Sequence, residues 1–351
     1  MRITGTFLDE ISHDIPHQNC GREEWEHDFK AMKAFGINTV ILIRCGWKRW
    51  MTFPSDVLMK EKNGFKPPVD LIDMFLDLAE KYEMDFFCGS YDSGNPWWEP
   101  GYQVVPEVEM MRKVCNEIID RYGNRKAFKG WYLSQEIAGT NPAATTCYRE
   151  LGTLLKSRMP GCKIMISPGM KGAKAYNAQM VKLGKTIAPE QHEAEWRENM
   201  EKIKGIVDIV AFQDGHVEIE LLPTFLKINK KLCDENGIEC WTNSESFDRD
   251  MPIDFLPIKW EKLRLKLKAA EEAGLSNAIT FEFSHFISPN SFIQKTEFFH
   301  GTAADTDNSF SAFKIFQCFQ STFAMVNITG ECKSSHNILS FHKKVVFQYR
   351  L

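Results

Sequence analysis

The fold class this sequence predicts is α/β, a single (β/α)8 TIM barrel with an atypical C-terminal tail. Two observations predict it. Eight short apolar, β-branched runs alternate with longer amphipathic stretches, the pattern of repeated β-α units. Most of these runs are apolar almost throughout, as parallel strands covered on both faces must be. An open doubly wound sheet is the alternative, but no glycine-rich phosphate loop follows the first run. Eight strands with a helix between each pair close most economically into a barrel.

The elements follow in order. The first strand is expected at 3–8, and Trp25, Phe29, Met32 and Phe35 then recur at helical spacing. Gly36 stands where a helix C-cap needs a residue free to take positive φ. After a second strand at 39–43, Pro67 and Pro68 lead into Val69, Ile72, Phe75, Leu76 and Ala79, an amphipathic helix entered by proline. A strand at 85–90 precedes a helix marked by Met111, Cys115, Ile118 and Ile119 and closed by Gly123. The fourth strand, 130–134, is followed by Leu151, Leu154 and Leu155, and the fifth, 163–167, by Trp196, Met200 and Ile203. The sixth is expected at 207–212, with Leu222, Phe225, Leu226, Ile228 and Leu232 after it. The seventh is 239–243, then Leu263, Leu267 and Ala270 with Gly274 as stop, and the eighth is 278–283.

Residues 1–292 thus make the barrel, the expected catalytic domain. Residues 293–351 are expected to supply its last helix through Phe310, Phe313 and Phe316, with Phe323 as a further candidate, plus an extension ending KKVVFQYRL that a minimal barrel does not need.

Composition narrows the function. Over 351 residues the hydrophobic share of 43% and charged share of 26% suit a soluble globular protein. A net charge of -4 offers no basic footprint, so no nucleic-acid partner is expected. No run of about 18 apolar residues exists to span a membrane. The opening MRITGTFLDE lacks the apolar stretch of a signal peptide. The ten cysteines form no CxxC pair, and Cys45, Cys88 and Cys240 sit in apolar strand-like runs, so they read as reduced and structural. The cytoplasm is the expected location, with an exported form whose leader lies outside this chain as the alternative.

In this fold the chemistry sits at the C-terminal ends of the strands. Strand one ends at Asp9 and Glu10; strand two at Arg44, followed by Trp47, Arg49 and Trp50. Strand three ends at Tyr91 and Asp92, followed by Trp97 and Trp98, and strand four at Ser134, Gln135 and Glu136. Strand six ends at Gln213, Asp214, Gly215 and His216; strand seven at Asn243, Ser244 and Glu245, then Asp248; strand eight at Glu282, Ser284 and His285. Carboxylates and amides bind sugar hydroxyls, and flat aromatic faces pack on the C–H faces of a pyranose, so a carbohydrate is the expected partner. Trp131 and Trp241 lie inside strands and read as core or barrel wall.

Glu136 and Glu245 stand out, because a carboxylate directly after an apolar parallel strand faces desolvation unless it has a partner or a task. Glycoside hydrolysis needs two such groups flanking the scissile bond. The strings GWYLSQEI and CWTNSESFD place them after strands four and seven. That layout resembles the superfamily of retaining β/α-barrel glycosidases. The resemblance implies Glu136 as acid/base, Gln135 as the preceding amide and Glu245 as nucleophile, with Gln135 departing from the usual asparagine. Segments such as FKAMKAFGINTVILIRCGWKRWMTFPS, VDIVAFQDGHV and WTNSESFDRDMP are similar to a bacterial family of glycosidase-like barrels that carried a domain-of-unknown-function label, over residues 3 to about 290.

On this reading Arg44 or Tyr91 would stabilise the charge of Glu245. Asp92, Asp214 and His216 would bind substrate hydroxyls, and Trp47, Trp97, Gln213, Asn243, Glu282 and His285 complete the expected binding set. Glu136 with Asp214 is a second acid pair, suited to inversion. No cofactor and no metal are expected, since HxH and HExxH spacings are missing. A metal-dependent sugar isomerase or epimerase remains the first alternative, with Asp214, His216, Glu245, Glu282 and His285 as ligands. A non-catalytic carbohydrate-binding barrel is the second.

Overall fold

The structure, a computed structural model, describes residues 1–11, 15, 20–99, 101–174, 185–251 and 255–291. Eight parallel strands close into a barrel in sequence order. They are β1 (Ile3–Leu8), β2 (Thr39–Leu42), β3 (Asp85–Gly89), β4 (Phe128–Leu133), β5 (Lys163–Ile166), β6 (Ile209–Gln213), β7 (Glu239–Asn243) and β8 (Asn277–Thr280). The seam is sealed where Ile3 pairs with Ala278 and Thr6 with Thr280.

All eight expected strands are present, with ends displaced by no more than three residues, the largest shifts falling at β4, β6 and β8. Asp208 lies just ahead of β6: its N–H donates to the Ile164 carbonyl at 2.9 Å, its carbonyl accepts the Glu239 N–H at 2.9 Å, and its carboxylate accepts the Ile164 N–H at 2.7 Å. β8 stops at Thr280 because Glu282 caps the helix Phe283–Phe286.

Because side chains alternate across a strand, one set of buried residues from all eight strands fills the lumen. These are Phe7, Ile41, Phe87, Tyr132, Met165, Ile209, Ala211, Trp241 and Ile279, with Ile43 just past β2. Their neighbours, among them Leu8, Val40, Cys88, Trp131, Ile166 and Phe212, join the separate cluster between sheet and helices. Trp131 is therefore outer core and Trp241 lumen, with its indole N–H donating to Glu239 at 3.3 Å. Neither belongs to the rim.

Among the described residues, one long helix lies between each pair of successive strands: α1 (Arg22–Phe35), α2 (Leu71–Lys81), α3 (Val104–Tyr122), α4 (Pro142–Arg158), α5 (Pro189–Ile203), α6 (Leu222–Glu235) and α7 (Trp260–Glu272), with a short helix Asp56–Lys62 ahead of α2. Trp25, Phe29 and Met32 are buried on α1, and Gly36 ends it in the left-handed region at φ 101°. The prolines 67 and 68 do not open α2. Asp70 does, its carboxylate accepting the Asp73 N–H at 3.1 Å, so Val69 stands outside the helix and is exposed.

Extra elements sit on the loops after the strands. A small sheet joins Trp50–Met51, Gly46–Trp47 and Tyr91–Asp92. A short antiparallel pair joins Phe247–Asp248 to Leu256–Pro257. The eight described cysteines are free thiols. No described helix is long and apolar enough to cross a membrane. Phe310, Phe313, Phe316 and the rest of 292–351 lie outside the described residues.

Candidate active site

Glu136 stands four residues beyond Tyr132, whose ring fills the lumen against Phe7 with centroids 5.0 Å apart. Two strand steps return the chain to the same face. Tyr132 accordingly donates its hydroxyl to Glu136 Oε1 at 2.7 Å. Burial, then the charge of Glu136, push the Tyr132 phenol well above its ordinary pKa, so it remains a donor. Glu136 itself is only half-buried, within reach of a ligand.

Gln135 lies on the opposite face. Its amide nitrogen approaches Met111 Sδ of α3 at 3.8 Å, and its backbone carbonyl accepts the Tyr148 hydroxyl. The amide expected to reach a sugar hydroxyl is thus turned toward a helix.

On strands two and three, Arg44 and Asp92 form a loose ion pair, Nη1 to Oδ2 at 3.8 Å, both side chains nearly buried. Arg44 Nε has no hydrogen-bond partner among the described residues. Tyr91 donates its hydroxyl to the Lys48 carbonyl at 2.8 Å, tying the third loop to the second. Its phenol is pushed up by burial and by Glu107. Trp47 stacks on Trp50 at 5.6 Å and 23°, with Lys48 Nζ 4.2 Å from its ring. Trp97 meets Trp98 edge-on at 4.6 Å. Trp50 and Trp98 are exposed, so aromatic surface does border the rim.

The second carboxylate centre surrounds Glu245, whose side chain is almost entirely buried. Arg249 grips it at two points, Nε to Oε2 at 2.6 Å and Nη2 to Oε1 at 2.7 Å. Burial raises the Glu245 pKa, but the charge and hydrogen bonds of Arg249 outweigh it and the carboxyl is held down at about 2. Neither Arg44 nor Tyr91, the residues expected for this task, performs it: one faces Asp92 and the other the Lys48 carbonyl. Gly215 packs beside this contact. A Cβ there would stand 1.6 Å from Glu245 Oε2, so only glycine admits the carboxylate.

Below Glu245, Asp214 Oδ1 accepts from both the Glu245 N–H at 3.1 Å and Lys266 Nζ at 2.7 Å. Lys266 also reaches the Glu245 carbonyl at 3.2 Å. Burial raises the Asp214 pKa while Lys266 opposes it. His216, buried and facing Arg249, is lowered to about 3 and so is neutral. Its Nδ1 has no hydrogen-bond partner among the described residues.

Gln213 and Asn243 converge on Ser167, at 2.9 Å to its carbonyl and 3.1 Å to its hydroxyl. Glu282 is a helix cap: its carboxylate accepts the Ser284 N–H at 3.1 Å and the His285 N–H at 2.6 Å, and it pairs with His285 Nδ1. The set weighed as metal ligands is therefore spread over three tasks, with Asp214 on Lys266, Glu245 on Arg249 and Glu282 on its helix. Among the described residues no group of three or more His, Cys, Asp or Glu is arranged to hold a metal ion.

Sequence reasoning missed Tyr132, Arg249 and Lys266. Each carried a faint signal: Tyr132 four residues before Glu136 on a strand, Arg249 four after Glu245, and Lys266 at the spacing of Leu263, Leu267 and Ala270, hence on the buried face of α7.

The family model described as domain of unknown function (DUF4434) matches residues 3–293. No curated protein matches the chain. Among solved structures, a protein of Bacteroides thetaiotaomicron VPI-5482, an alpha-L-fucosidase by provisional assignment, is 48% identical, with a TM-score of 0.81 over 88% of this chain and 95% of its own. The endo-1,4-beta-D-mannanase of Thermotoga petrophila RKU-1 is 13% identical, with a TM-score of 0.56 over 87% of this chain and 99% of its own. The beta-glucosidase of Thermotoga maritima is 10% identical, with a TM-score of 0.52 over 88% and 97%. The last two share the barrel fold with this chain.

Proposed function

We propose that this chain, which belongs to the DUF4434 family, is a glycoside hydrolase working by retention, with Glu136 as acid/base and Glu245 as nucleophile. One observation carries the reading: Glu245, at the top of β7, is buried yet held ionised by a two-point guanidinium contact. A buried carboxylate kept charged is what a nucleophile requires. Glu136, at the top of β4, is half-buried and positioned by Tyr132. The 48% identical Bacteroides structure, with its provisional fucosidase assignment, supports an α-L-fucoside as the first substrate to try.

In the first step Glu136 protonates the departing glycosidic oxygen while a Glu245 oxygen attacks the anomeric carbon, forming a covalent glycosyl-enzyme. Water then attacks that carbon, Glu136 takes its proton, and the bond to Glu245 breaks with the configuration restored. Asp92, Arg44 and His216 offer polar contacts to sugar hydroxyls, and Trp47 and Trp97 offer apolar ones. No metal enters the scheme.

The test is turnover of a panel of aryl glycosides, led by an aryl α-L-fucoside, with NMR of the first-formed anomer. Retention, together with at least a thousandfold loss in Glu245→Gln, is the expected result. Inversion would move the reading to Glu136 with Asp214. Sugar affinity without turnover across the panel would replace the enzyme with a binding protein.

A further inference from the structure

We infer that Arg249 is a positioning residue for Glu245, whose fork fixes the orientation and charge of that carboxylate before any sugar arrives; the inference rests on Glu245 being the nucleophile. Arg249 itself is anchored. Its guanidinium lies 4.8 Å from the Phe247 ring centroid, and Phe247 packs on Phe255 at 4.8 Å and Phe286 at 5.6 Å. The strand pair Phe247–Asp248 with Leu256–Pro257 holds that aromatic base in place. The bare Cα of Gly215 lies beside the contact between Arg249 Nε and Glu245 Oε2, where a Cβ would meet both groups.

The other charges near Glu245 do not replace it. Lys266, from α7, spends its ammonium on Asp214 Oδ1 at 2.7 Å. Asp214, after β6, is that lysine's counter-ion and faces Glu245 through the backbone N–H. His216, on the same loop, is uncharged at neutral pH because burial and Arg249 disfavour its proton. Among the described residues Arg249 is the cation that meets the Glu245 carboxylate directly, and its charge lowers the Glu245 pKa more than that of Lys266 does. A guanidinium fork meets both carboxylate oxygens at once, whereas an ammonium meets one point and leaves the group free to turn.

Three variants test this: Arg249→Met, Arg249→Lys and Glu245→Gln. Arg249→Met is expected to move the acid limb of kcat/KM upward by more than one pH unit and to lower kcat at least tenfold. KM should stay within about threefold, since the arginine is a partner of the nucleophile. Arg249→Lys should return the limb towards the wild-type position while kcat stays low, a split that a merely structural role would not produce. An unmoved limb in Arg249→Met, or a raised KM with kcat intact, overturns the inference. Carboxyl titration by NMR of 13C-glutamate-labelled protein, with Glu245→Gln identifying the resonance, needs no turnover. Glu245 should remain ionised from pH 3 to 7 in wild type and titrate inside that range in Arg249→Met; no titration there overturns the inference as well. Full turnover by Glu245→Gln would instead sink the nucleophile reading, and the NMR titration would still decide whether Arg249 sets the charge.

Discussion

Tyr132 donates its hydroxyl to Glu136 Oε1 at 2.7 Å, so a residue of the packed lumen positions a carboxylate of the open rim. The ring belongs to the core and the oxygen to the site. Removing the oxygen alone, in Tyr132→Phe, should leave the Phe7 packing in place and delete one hydrogen bond to a charged group, worth about 1.5–3 kcal/mol. We expect a fall in kcat of roughly ten- to a hundredfold. Losing a donor to the carboxylate also favours its protonated form, so the basic limb of the pH profile should move to higher pH. A profile unchanged in height and position would dismiss the role given to Tyr132.

Lys266 and Asp214 are a buried ion pair at 2.7 Å beneath Glu245. Lys266→Met leaves Asp214 buried without its counter-ion, and removing one partner of such a pair typically costs about 3–5 kcal/mol. Urea denaturation should show that loss. The double variant Lys266→Met with Asp214→Asn should recover part of it, because no lone charge then remains. Additive losses in this cycle would mean that the two groups are not coupled.

Gly215 separates activity from stability. A methyl group there would overlap Glu245 Oε2 at 1.6 Å and approach Arg249 Nε at 2.8 Å. The atoms met are the ends of two side chains, so the fold can adjust by moving them. Gly215→Ala is expected to lower turnover by about a hundredfold or more, the scale on which about an ångström of misplacement acts. Its thermal midpoint should shift by only a few degrees. Wild-type turnover in this variant would mean that the Glu245 pose is not needed for chemistry.

Two groups make stability depend on acid in separate windows. His216 is lowered from 6.5 to about 3, so the unfolded chain binds its proton first. Its contribution is complete above about pH 6.5 and is lost as pH falls towards 3. Glu245 is lowered from 4.5 to about 2, so its contribution, on the order of 3 kcal/mol, is lost between those values. Denaturation midpoints measured from pH 7 to 3 should flatten above pH 4.5 in His216→Gln. In Glu245→Gln the slope should lessen only below it, where the His216 loss still continues towards pH 3. Identical slopes in both variants and wild type would refute the assignment.

The barrel was legible because its signal is local. An apolar run between turn residues reports a strand covered on both faces, and a three- and four-residue spacing reports the helix that covers it. The ends were less legible. Proline suggested the start of α2, but the Asp70 carboxylate, which can accept the Asp73 N–H, marks it.

For the site, sequence order alone determined which residues stand after each strand, Glu136 and Glu245 among them, since a parallel barrel sends every strand end to one rim. It did not determine their partners. Glu245 draws on Arg249 from its own loop, Gly215 from the loop after β6 and, through Asp214, Lys266 from α7. Gln135, next to Glu136 in the chain, turns instead to Met111 on α3. Hydrogen bonds and ion pairs act over about 3 Å, and only the closed barrel brings residues far apart in sequence to that distance.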